Sequence, residues 1–446
     1  MNELAIPIFA TADKATDVVE GLRELYQRDQ RPWVVAYSGG KDSTALLQLV
    51  VVMLEFLGEQ ASKPVYVIAS DTRVEAPNVS AYLADSLRQI SDFAKTRALP
   101  LHVRLVQPDI KDTFWAKLIG RGYPPPTRWF RWCTSSMKIR PAKRAIEDIT
   151  IKSGSVILLL GTRRAESSDR AKRMEGRART ELGLNPHHEI PNALVASPIE
   201  HWSTEEVWDY LMSHDPAPWG GTHQFLFDLY RQANAGECPV VFDLNTPSCG
   251  GSRFGCWTCT VVKEDKSMQG FIQSGATQME PLARFRNWLK VIREDSANRN
   301  PVTRNGQNKL GPFTPKARQM ILEALLKTEQ ESGLELIGDE DIAQIQAQWQ
   351  EDFDYSESAY AIARKYGREV TMKKPLNLAP EEERILEDVA VEFGLNPDIA
   401  REMLDLTRKL DADLEQTAFL SKPEYTRALD RLVEQVAAQA EGAARS

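Results

Sequence analysis

The sequence has few cysteines, and their number is odd: five among 446 residues. A small, odd count argues against the complete disulfide framework of a secreted protein. Long apolar runs are also missing, since no stretch reaches the roughly 18 apolar residues that a membrane helix needs. The first residues, MNELAIPIFATADKATD, lack the basic start and long apolar core of a signal peptide. We therefore expect a cytoplasmic protein that does not use a membrane.

The sequence also lacks internal repeats and long low-complexity tracts. The distribution of charged residues, however, divides the chain into basic and acidic regions. Residues 111–180 contain 17 Lys and Arg against 6 Asp and Glu, and residues 281–330 contain 10 against 4. Residues 331–446 have the opposite balance, 13 against 26. A basic middle favours a polyanionic partner, and an acidic tail favours a separate task. The alternative is that both are solvated faces.

Apolar strands alternate with amphipathic helices over the first 215 residues. The predicted strands are 33–37, 64–70, 101–106, 155–160 and a short one near 195. The predicted helices are 14–28, 43–57, 78–97, 138–150 and 203–212, the last with Ser203 and Glu206 spaced as a capping box. This alternation predicts an α/β fold with a doubly wound parallel sheet, whose ligands bind at the carboxyl ends of the strands.

The rest of the chain has a different pattern. Residues 215–263 are rich in Gly, Pro and Cys and are predicted to be irregular loop. Helix returns over 281–330, where Thr314 is the expected N-cap before Pro315, and continues to the end with breaks at prolines. We expect three domains: an α/β nucleotide-binding domain (1–214), a cysteine-rich region with basic helices (215–330) and an acidic helical extension (331–446).

The segment SGGKDST follows the first predicted strand and opens the next helix. Two adjacent glycines let backbone N–H groups face a ligand, and the helix N-terminus adds positive potential. Lys41 supplies a mobile cation, and Asp42 can hold Mg²⁺ directly or through water. The pattern is not the Walker A motif. It predicts a phosphate site formed by Ser38, Gly39, Gly40, Lys41, Asp42, Ser43 and Thr44, with Lys41 and Asp42 as catalytic residues.

Two other strand ends carry candidate ligand residues. Asp71 ends the second strand, in SDTRVEAPNV. Arg163, Arg164 and Arg170 follow the fourth strand, in GTRRAESSDRAKR, where paired guanidinium donors suit phosphate. The alternative for these arginines is a salt-bridged helix surface shared with the neighbouring acidic residues.

The cysteines form the most informative pattern. Cys238, Cys249, Cys256 and Cys259 crowd into ECPVVFDLNTPSCGGSRFGCWTCT, and Cys133 lies far upstream in RWFRWCTSSMKIRPAKR. Four thiolates suit a [4Fe–4S] cluster or a zinc ion, whereas C-x-x-C alone also suits a dithiol redox pair. The three additional cysteines favour a metal. Four ligands must then come from five candidates.

Four motifs together resemble a known superfamily. SGGKDS, SDTRVEAPNV, GTRRAESSDRAKR and SPIEHWSTEEVWDYL are similar to the PP-loop ATP pyrophosphatases, in particular to their phosphoadenylyl-sulfate reductase branch, over roughly residues 30–215. Such enzymes split ATP into AMP and pyrophosphate, usually by adenylating an acceptor. The resemblance implies ATP and Mg²⁺ as cofactors. It also implies a [4Fe–4S] cluster, although Cys133 is followed by Thr134 rather than by the family's second cysteine.

The ligand set that we expect for the cluster is Cys133, Cys238, Cys256 and Cys259. Cys238 precedes Pro239, a pairing common at cluster ligands. Cys249 precedes two glycines, which suits a mobile sulfur carrier with a catalytic role. The exchange of Cys238 and Cys249 between these roles remains open.

The cysteine segment TPSCGGSRFGCWTC narrows the resemblance to the DndC family of bacterial DNA phosphorothioation, with the SspD family of single-strand systems as a similar alternative. This implies that ATP activates a DNA backbone phosphate so that sulfur replaces a non-bridging oxygen. A cysteine desulfurase would donate sulfur, and other phosphorothioation subunits would be partners. The remaining alternatives are a sulfonucleotide reductase, a tRNA thiolase and a non-catalytic DNA-binding subunit stapled by its cluster.

Aromatic residues interleave with arginines just before Cys133. Trp129, Phe130 and Trp132 alternate with Arg128 and Arg131. In a DNA-binding protein this pattern suits stacking on an unpaired base, beside basic residues that contact phosphates. The alternative is that the three rings belong to the hydrophobic core.

Overall fold

The computed structural model of the chain describes residues 8–166, 184–187, 190–233, 255–352, 354, 356–370, 380–392 and 400–401. The chain divides into two compact units, residues 1–370 and residues 371–446. In the second unit the described residues include a helix, Pro380–Glu392. The domain boundaries expected near residues 214 and 330 stay a prediction.

A six-stranded sheet forms the centre of the first unit. Its strands are β1 (Trp33–Tyr37), β2 (Val65–Ser70), β3 (Leu101–Val106), β4 (Val156–Leu159), β5 (Asn185–Pro186) and β6 (Ala193–Ala196). They lie in the order β3-β2-β1-β4-β6-β5, and all neighbours are parallel except β5 and β6. The predicted mostly parallel α/β sheet is confirmed. Residues of β4 are buried on both faces because β4 is central and apolar throughout.

Helices cover both faces of this sheet. On one face lie α1 (Ile8–Arg28), α2 (Lys41–Leu57) and α3 (Pro77–Thr96), together with the helix Thr204–Ser213. On the other face α4 (Arg140–Ser153) packs against alternate residues of the same strands. The capping box of Ser203 and Glu206 is present, as the spacing predicts. In the described residues, no helix combines the length and the apolarity that crossing a bilayer requires.

A separate hydrophobic core joins the later helices to loops beyond the sheet. Its helices are Lys266–Gln273, Glu280–Glu294, Pro315–Ser332, Asp339–Asp352 and Ser358–Lys365. Trp115 and Trp257 meet inside this core, with ring centroids 5.8 Å apart, and Phe285 lies 5.9 Å from Trp257. Because Trp257 stands inside the C-x-x-C motif, its burial fixes the position of that motif.

The prediction that all of 215–263 is irregular is wrong in one stretch. Residues His223–Ala233 form a helix. Its first turn is capped by upstream side chains: the His223 N–H donates to Asp215 Oδ1 (2.6 Å) and the Gln224 N–H to Thr222 Oγ1 (3.1 Å). Leu226, Leu229 and Tyr230 are buried on one face. The flanking Gly and Pro residues hid this short amphipathic pattern.

The helical region predicted over 281–330 is interrupted by a long loop. Helix stops at Glu294 and resumes at Pro315, where Thr314 is the N-cap as predicted. The intervening loop is organised by Arg299, whose buried guanidinium donates to the carbonyl oxygens of Arg293 (2.7 Å) and Leu310 (3.1 Å). Asn, Gly and Pro residues in this loop favour turns over helix.

Candidate functional site

The SGGKDST segment forms a tight loop between β1 and α2. Gly39 has a φ of 70°, in the left-handed region that favours glycine. The Ser38 N–H donates to Ser43 Oγ (3.2 Å), and that hydroxyl donates to the carbonyl oxygen of Gly40 (2.9 Å). These bonds hold the loop against the first turn of α2, which begins at Lys41, and Thr44 is buried there. The N-terminus of α2 therefore stands at the carboxyl edge of the sheet.

Two cations meet on the carboxylate of Asp42. Lys41 Nζ lies 2.9 Å from Asp42 Oδ2, and Arg163 Nε donates to Asp42 Oδ1 over 2.6 Å. Arg163 is buried, whereas the Asp42 side chain is about one-fifth exposed. The end of β4 and the start of α2 thus share one ion-pair network, which joins three predicted site residues.

The guanidinium of Arg163 also ties the loop to the segment that follows β6. It donates to the carbonyl oxygen of Trp202 (3.1 Å) and to Thr204 Oγ1 (3.3 Å). With these bonds and the one to Asp42, Arg163 positions the loop. Arg164 is more accessible, and its Nη2 lies 3.8 Å from Glu200 Oε1. Arg170 lies outside the described residues.

Asp71 lies at the carboxyl end of β2, as predicted. Its Oδ1 accepts a hydrogen bond from the Arg73 N–H and its Oδ2 accepts one from Gln107 Nε2, both over 2.8 Å. The next residue, Thr72, donates its hydroxyl to Glu75 Oε1 (2.6 Å). Burial raises the pKa of the Glu75 carboxyl above its ordinary value. This turn carries polar groups to the same edge of the sheet as the SGGKDST loop.

The C-x-x-C motif docks on that turn. Glu75 and Cys256 form an antiparallel β-bridge, and the Trp257 N–H donates to the carbonyl oxygen of Val74 (3.0 Å). The sulfur of Cys256 lies 3.4 Å from Thr72 Oγ1. The Cys259 N–H donates to the carbonyl oxygen of Cys256 (3.0 Å), so the motif forms a turn. The thiol segment is therefore anchored beside the end of β2, the neighbour of β1.

Three thiols lie close enough to influence one another. Burial raises the pKa of Cys256 to about 12, and Lys138 opposes that rise while Cys133 adds to it. Burial also raises the pKa of Cys133, with a contribution from Cys259. All three cysteines are free thiols. Low-dielectric surroundings disfavour the thiolate form, whereas a bound metal cation would favour it.

The donor set fits an iron–sulfur cluster in its chemistry, because cysteine thiolates are the usual ligands of such clusters. Cys133 and the C-x-x-C come from distant parts of the chain and converge, as the resemblance implies. In the described residues, His, Cys, Asp and Glu side chains form no group of three or more in a metal-binding arrangement. Cys238 and Cys249, the candidate fourth ligand and sulfur carrier, both lie outside the described residues.

The profile of the phosphoadenosine phosphosulfate reductase domain matches residues 32–262. That range includes the SGGKDST loop, the turn after β2 and the C-x-x-C, and it spans more than half of the chain. The chain belongs to this family. The PP-loop fold and the use of nucleotides expected from the sequence are those of the family.

Two curated relatives of this family member come from Methanocaldococcus jannaschii. The uncharacterized protein MJ0066 is 29% identical over 207 residues, which cover 46% of this chain and 36% of the relative. The uncharacterized protein MJ0973 is 27% identical over 266 residues, which cover 58% of this chain and 55% of the relative. The chain thus spans between about a third and about half of the relatives' length.

Among solved structures, this family member is similar to a phosphoadenylyl-sulfate reductase from Candida auris, determined as a phosphate complex. The TM-score is 0.29 and the identity 14%. The match covers 51% of this chain and 92% of the reductase.

Tyr230 is a site residue that sequence reasoning missed. Its hydroxyl accepts a hydrogen bond from the Lys41 N–H (3.5 Å), and Lys41 Nζ lies 5.5 Å from the centre of its ring. Burial, with a further contribution from the Asp42 charge, raises the pKa of Tyr230 well above its ordinary value, so the hydroxyl stays neutral. The helical spacing of Leu226, Leu229 and Tyr230 indicates the helix, but the contact of Tyr230 with Lys41 follows only from the fold.

Several basic residues that raised the charge of 281–330 are buried in this family member. Arg286 donates to the carbonyl oxygen of Cys259 (2.8 Å), and Arg293 donates to that of Pro126 (2.9 Å). Arg318 donates to the carbonyl oxygen of Ile119 (2.8 Å) and pairs with Asp352. These guanidinium groups are engaged within the protein, Arg286 directly on the C-x-x-C backbone, and they are not available to a polyanion.

Replacing Gly161 by Ala should disturb the SGGKDST loop. A Cβ at this position would lie 2.8 Å from the carbonyl oxygen of Asp42, a backbone atom that cannot move alone. We expect a loss of about 1–3 kcal/mol in the free energy of unfolding, measured in urea. Gly21→Ala is the matched control, because nothing lies within 4 Å of its Cβ in α1. It should stabilise the protein by about 0.5–1 kcal/mol. Equal stability of the two variants would contradict the close approach.

Proposed function

We propose that this family member is an ATP pyrophosphatase and sulfurtransferase that activates a DNA backbone phosphate, so that sulfur replaces a non-bridging oxygen. The observation that carries the proposal is the contact between Cys256 and Thr72. Thr72 follows β2, and β2 is the parallel neighbour of β1, which leads into the SGGKDST loop. Thiols and a phosphate loop therefore share one edge of the sheet, as the coupling of ATP cleavage to sulfur transfer requires.

The non-bridging oxygen of a DNA phosphate is a poor leaving group, and adenylation by ATP makes it replaceable. In the first step the DNA phosphate oxygen bonds to the α-phosphorus of ATP, and pyrophosphate leaves. In the second step a sulfur nucleophile bonds to the DNA phosphorus, and the original oxygen leaves within AMP. When the nucleophile is a cysteine persulfide, a second thiol then attacks the carrier sulfur. That attack forms a disulfide with the carrier and frees the phosphorothioate.

The loop residues have defined roles in this reaction. Lys41 and the N-terminal N–H groups of α2 stabilise the negative charge that develops on the phosphates. Phosphate oxygens compete with Asp42 for Lys41, and Arg163 keeps the Asp42 carboxylate in place. Asp42 would hold Mg²⁺, which supplies charge neutralisation at the phosphates. A [4Fe–4S] cluster held by Cys133, Cys256 and Cys259 with Cys238 or Cys249 would supply a site for binding sulfur.

DNA is the proposed acceptor because of the basic surface that remains exposed. Arg128, Arg131, Lys138 and Arg140 are exposed near Cys133. Contacts from such residues to backbone phosphates position a strand but do not read its sequence. A cysteine desulfurase as sulfur donor and other phosphorothioation subunits as partners complete the proposal.

Mass spectrometry of nuclease-digested DNA tests the acceptor. Cells that carry the gene should contain phosphorothioate-linked dinucleotides, and cells with the gene deleted should contain none. Complementation with the wild type should restore them, and complementation with Lys41→Ala at equal protein level should not. If deletion of the gene leaves the phosphorothioate content of the DNA unchanged, DNA is not the acceptor.

A sulfonucleotide reductase is the second candidate, because the matching family profile describes a reductase domain. Such an enzyme would release sulfite from a small sulfonucleotide and would not cleave ATP. Assays for sulfite and for pyrophosphate on the same preparation separate the two functions. Thionucleosides in tRNA digests would instead identify a tRNA thiolase, and DNA binding without pyrophosphate release would identify a non-catalytic subunit.

A further inference from the structure

One turn on the surface holds a tryptophan ring out into solvent. The side chain of Trp129 is 91% exposed. Its turn is closed by two backbone hydrogen bonds, from Thr127 N–H to the Phe130 carbonyl oxygen (3.2 Å) and from Phe130 N–H back to the Thr127 carbonyl oxygen (3.3 Å). The Thr127 hydroxyl adds a third contact to the Phe130 N–H (3.1 Å). The ring is thus displayed by a closed turn.

Packing beneath the turn holds it in place. Phe130 stacks on Tyr123, with ring centroids 6.3 Å apart and planes 7° apart. The guanidinium of Arg304 lies 5.0 Å from the centre of the Tyr123 ring. Trp132 is buried, and its Nε1–H donates to the carbonyl oxygen of Pro124 (2.9 Å). The three aromatic residues of this segment therefore have different positions. Trp132 is buried in the core, Phe130 packs on Tyr123 beneath the turn, and Trp129 projects into solvent.

One arginine contacts the projecting ring, and further exposed basic residues lie close to it in sequence. The guanidinium of Arg128 lies 5.8 Å from the centre of the Trp129 ring. Arg131, two residues after Trp129, is also exposed. Exposed Lys138 and Arg140 follow within the next ten residues. Cys133, one of the converging thiols, is four residues beyond Trp129. An aromatic face beside cations, near the thiols, matches a strand that is both stacked and negatively charged.

We propose that Trp129 stacks on an unpaired base of the DNA strand, whose phosphates lie against the basic residues of segment 128–140. This inference rests on the proposed function and sharpens its substrate: the acceptor is single-stranded or locally unpaired where it meets the thiols. A base in an intact duplex offers no free face to the ring. Because the turn that carries the ring is already closed, little backbone conformational entropy is lost when a base stacks on it.

Binding assays with the full chain test the proposal. The probes are a fluorescein-labelled single-stranded oligonucleotide, the fully paired duplex of the same sequence, and that duplex with one bulged base. Stacking on an aromatic residue contributes about 1–3 kcal/mol per base. Trp129→Ala should therefore weaken single-strand and bulge binding by about 5- to 150-fold. Binding to the paired duplex should change less than twofold, and Trp129→Phe should restore most of the lost affinity.

The matched control is Phe56→Ala. Phe56 is also an exposed ring beside an arginine, with Arg23 5.4 Å from its centroid, but it lies near the far end of α2 from the phosphate loop. It should leave all three affinities unchanged. Equal weakening of paired and unpaired probes by Trp129→Ala would overturn the proposal. So would wild-type protein that binds none of the probes, or a Trp129→Ala effect on self-association alone.

Failure of the proposed function is distinguishable from failure of this inference. The phosphorothioate content of DNA from cells with and without the gene tests the former. Discrimination between unpaired and paired probes by the Trp129 ring tests the latter without ATP.

Discussion

Lys41→Met should lower the rate of pyrophosphate release from ATP by about 100- to 1000-fold, the usual effect of removing one charge-stabilising donor from a reaction centre. Lys41 Nζ is within 2.9 Å of Asp42, at the N-terminus of α2 where the backbone N–H groups converge. Methionine keeps an unbranched stem beside the Tyr230 ring and removes only the charge. A coupled assay for pyrophosphate, at saturating ATP and with DNA present as the acceptor, measures the effect.

The matched control is Lys95→Met, the same substitution at an exposed position on α3. Its rate should stay within twofold of the wild type. Circular dichroism and urea unfolding should show that both variants are folded, because the Lys41 side chain is not part of the hydrophobic core. If Lys41→Met keeps a third or more of the wild-type rate, Lys41 does not stabilise the phosphates and its pairing with Asp42 is only structural.

Local features of the sequence predicted the sheet and the position of the SGGKDST loop. Each parallel strand is a short apolar run that ends at polar or glycine-containing residues, so periodicity located β1, β2, β3 and β4 to within one residue. The SGGKDST loop was equally legible because its conformation depends on its own residues: Gly39 permits the left-handed turn and Ser43 closes it. The capping box at Ser203 is local in the same way.

Contacts between residues far apart in the chain could not be predicted from the sequence. Arg163 meets Asp42 across 121 positions, and Tyr230 meets Lys41 across 189. Arg163 fits the pattern of a phosphate ligand, but a pattern does not distinguish a guanidinium that binds ligand from one that positions a loop. Net charge has the same weakness, since it counts buried Arg286 as surface. The proximity of Cys256 to Thr72 follows only from the fold.

Cys256→Ala should bleach the protein. A [4Fe–4S] protein purified without oxygen is brown, with broad absorption near about 400 nm from sulfur-to-iron charge transfer. The main chain of Cys256 pairs with that of Glu75, in the turn after β2. Its loss removes one ligand of the proposed set, so iron content and absorption should fall by about tenfold or more. The β-bridge is formed by the backbone, and the variant should therefore still bind ATP.

Two further variants separate cluster binding from sulfur transfer. If Cys238 is the fourth ligand, Cys238→Ala should also lose colour, whereas Cys249→Ala should stay brown yet leave DNA without phosphorothioate. The opposite result would exchange the roles of these cysteines. Colourless wild-type protein with stoichiometric zinc would contradict the cluster itself. A brown Cys256→Ala would show that the C-x-x-C thiol beside Thr72 is not a ligand, which leaves that thiol free for the sulfur-carrying step.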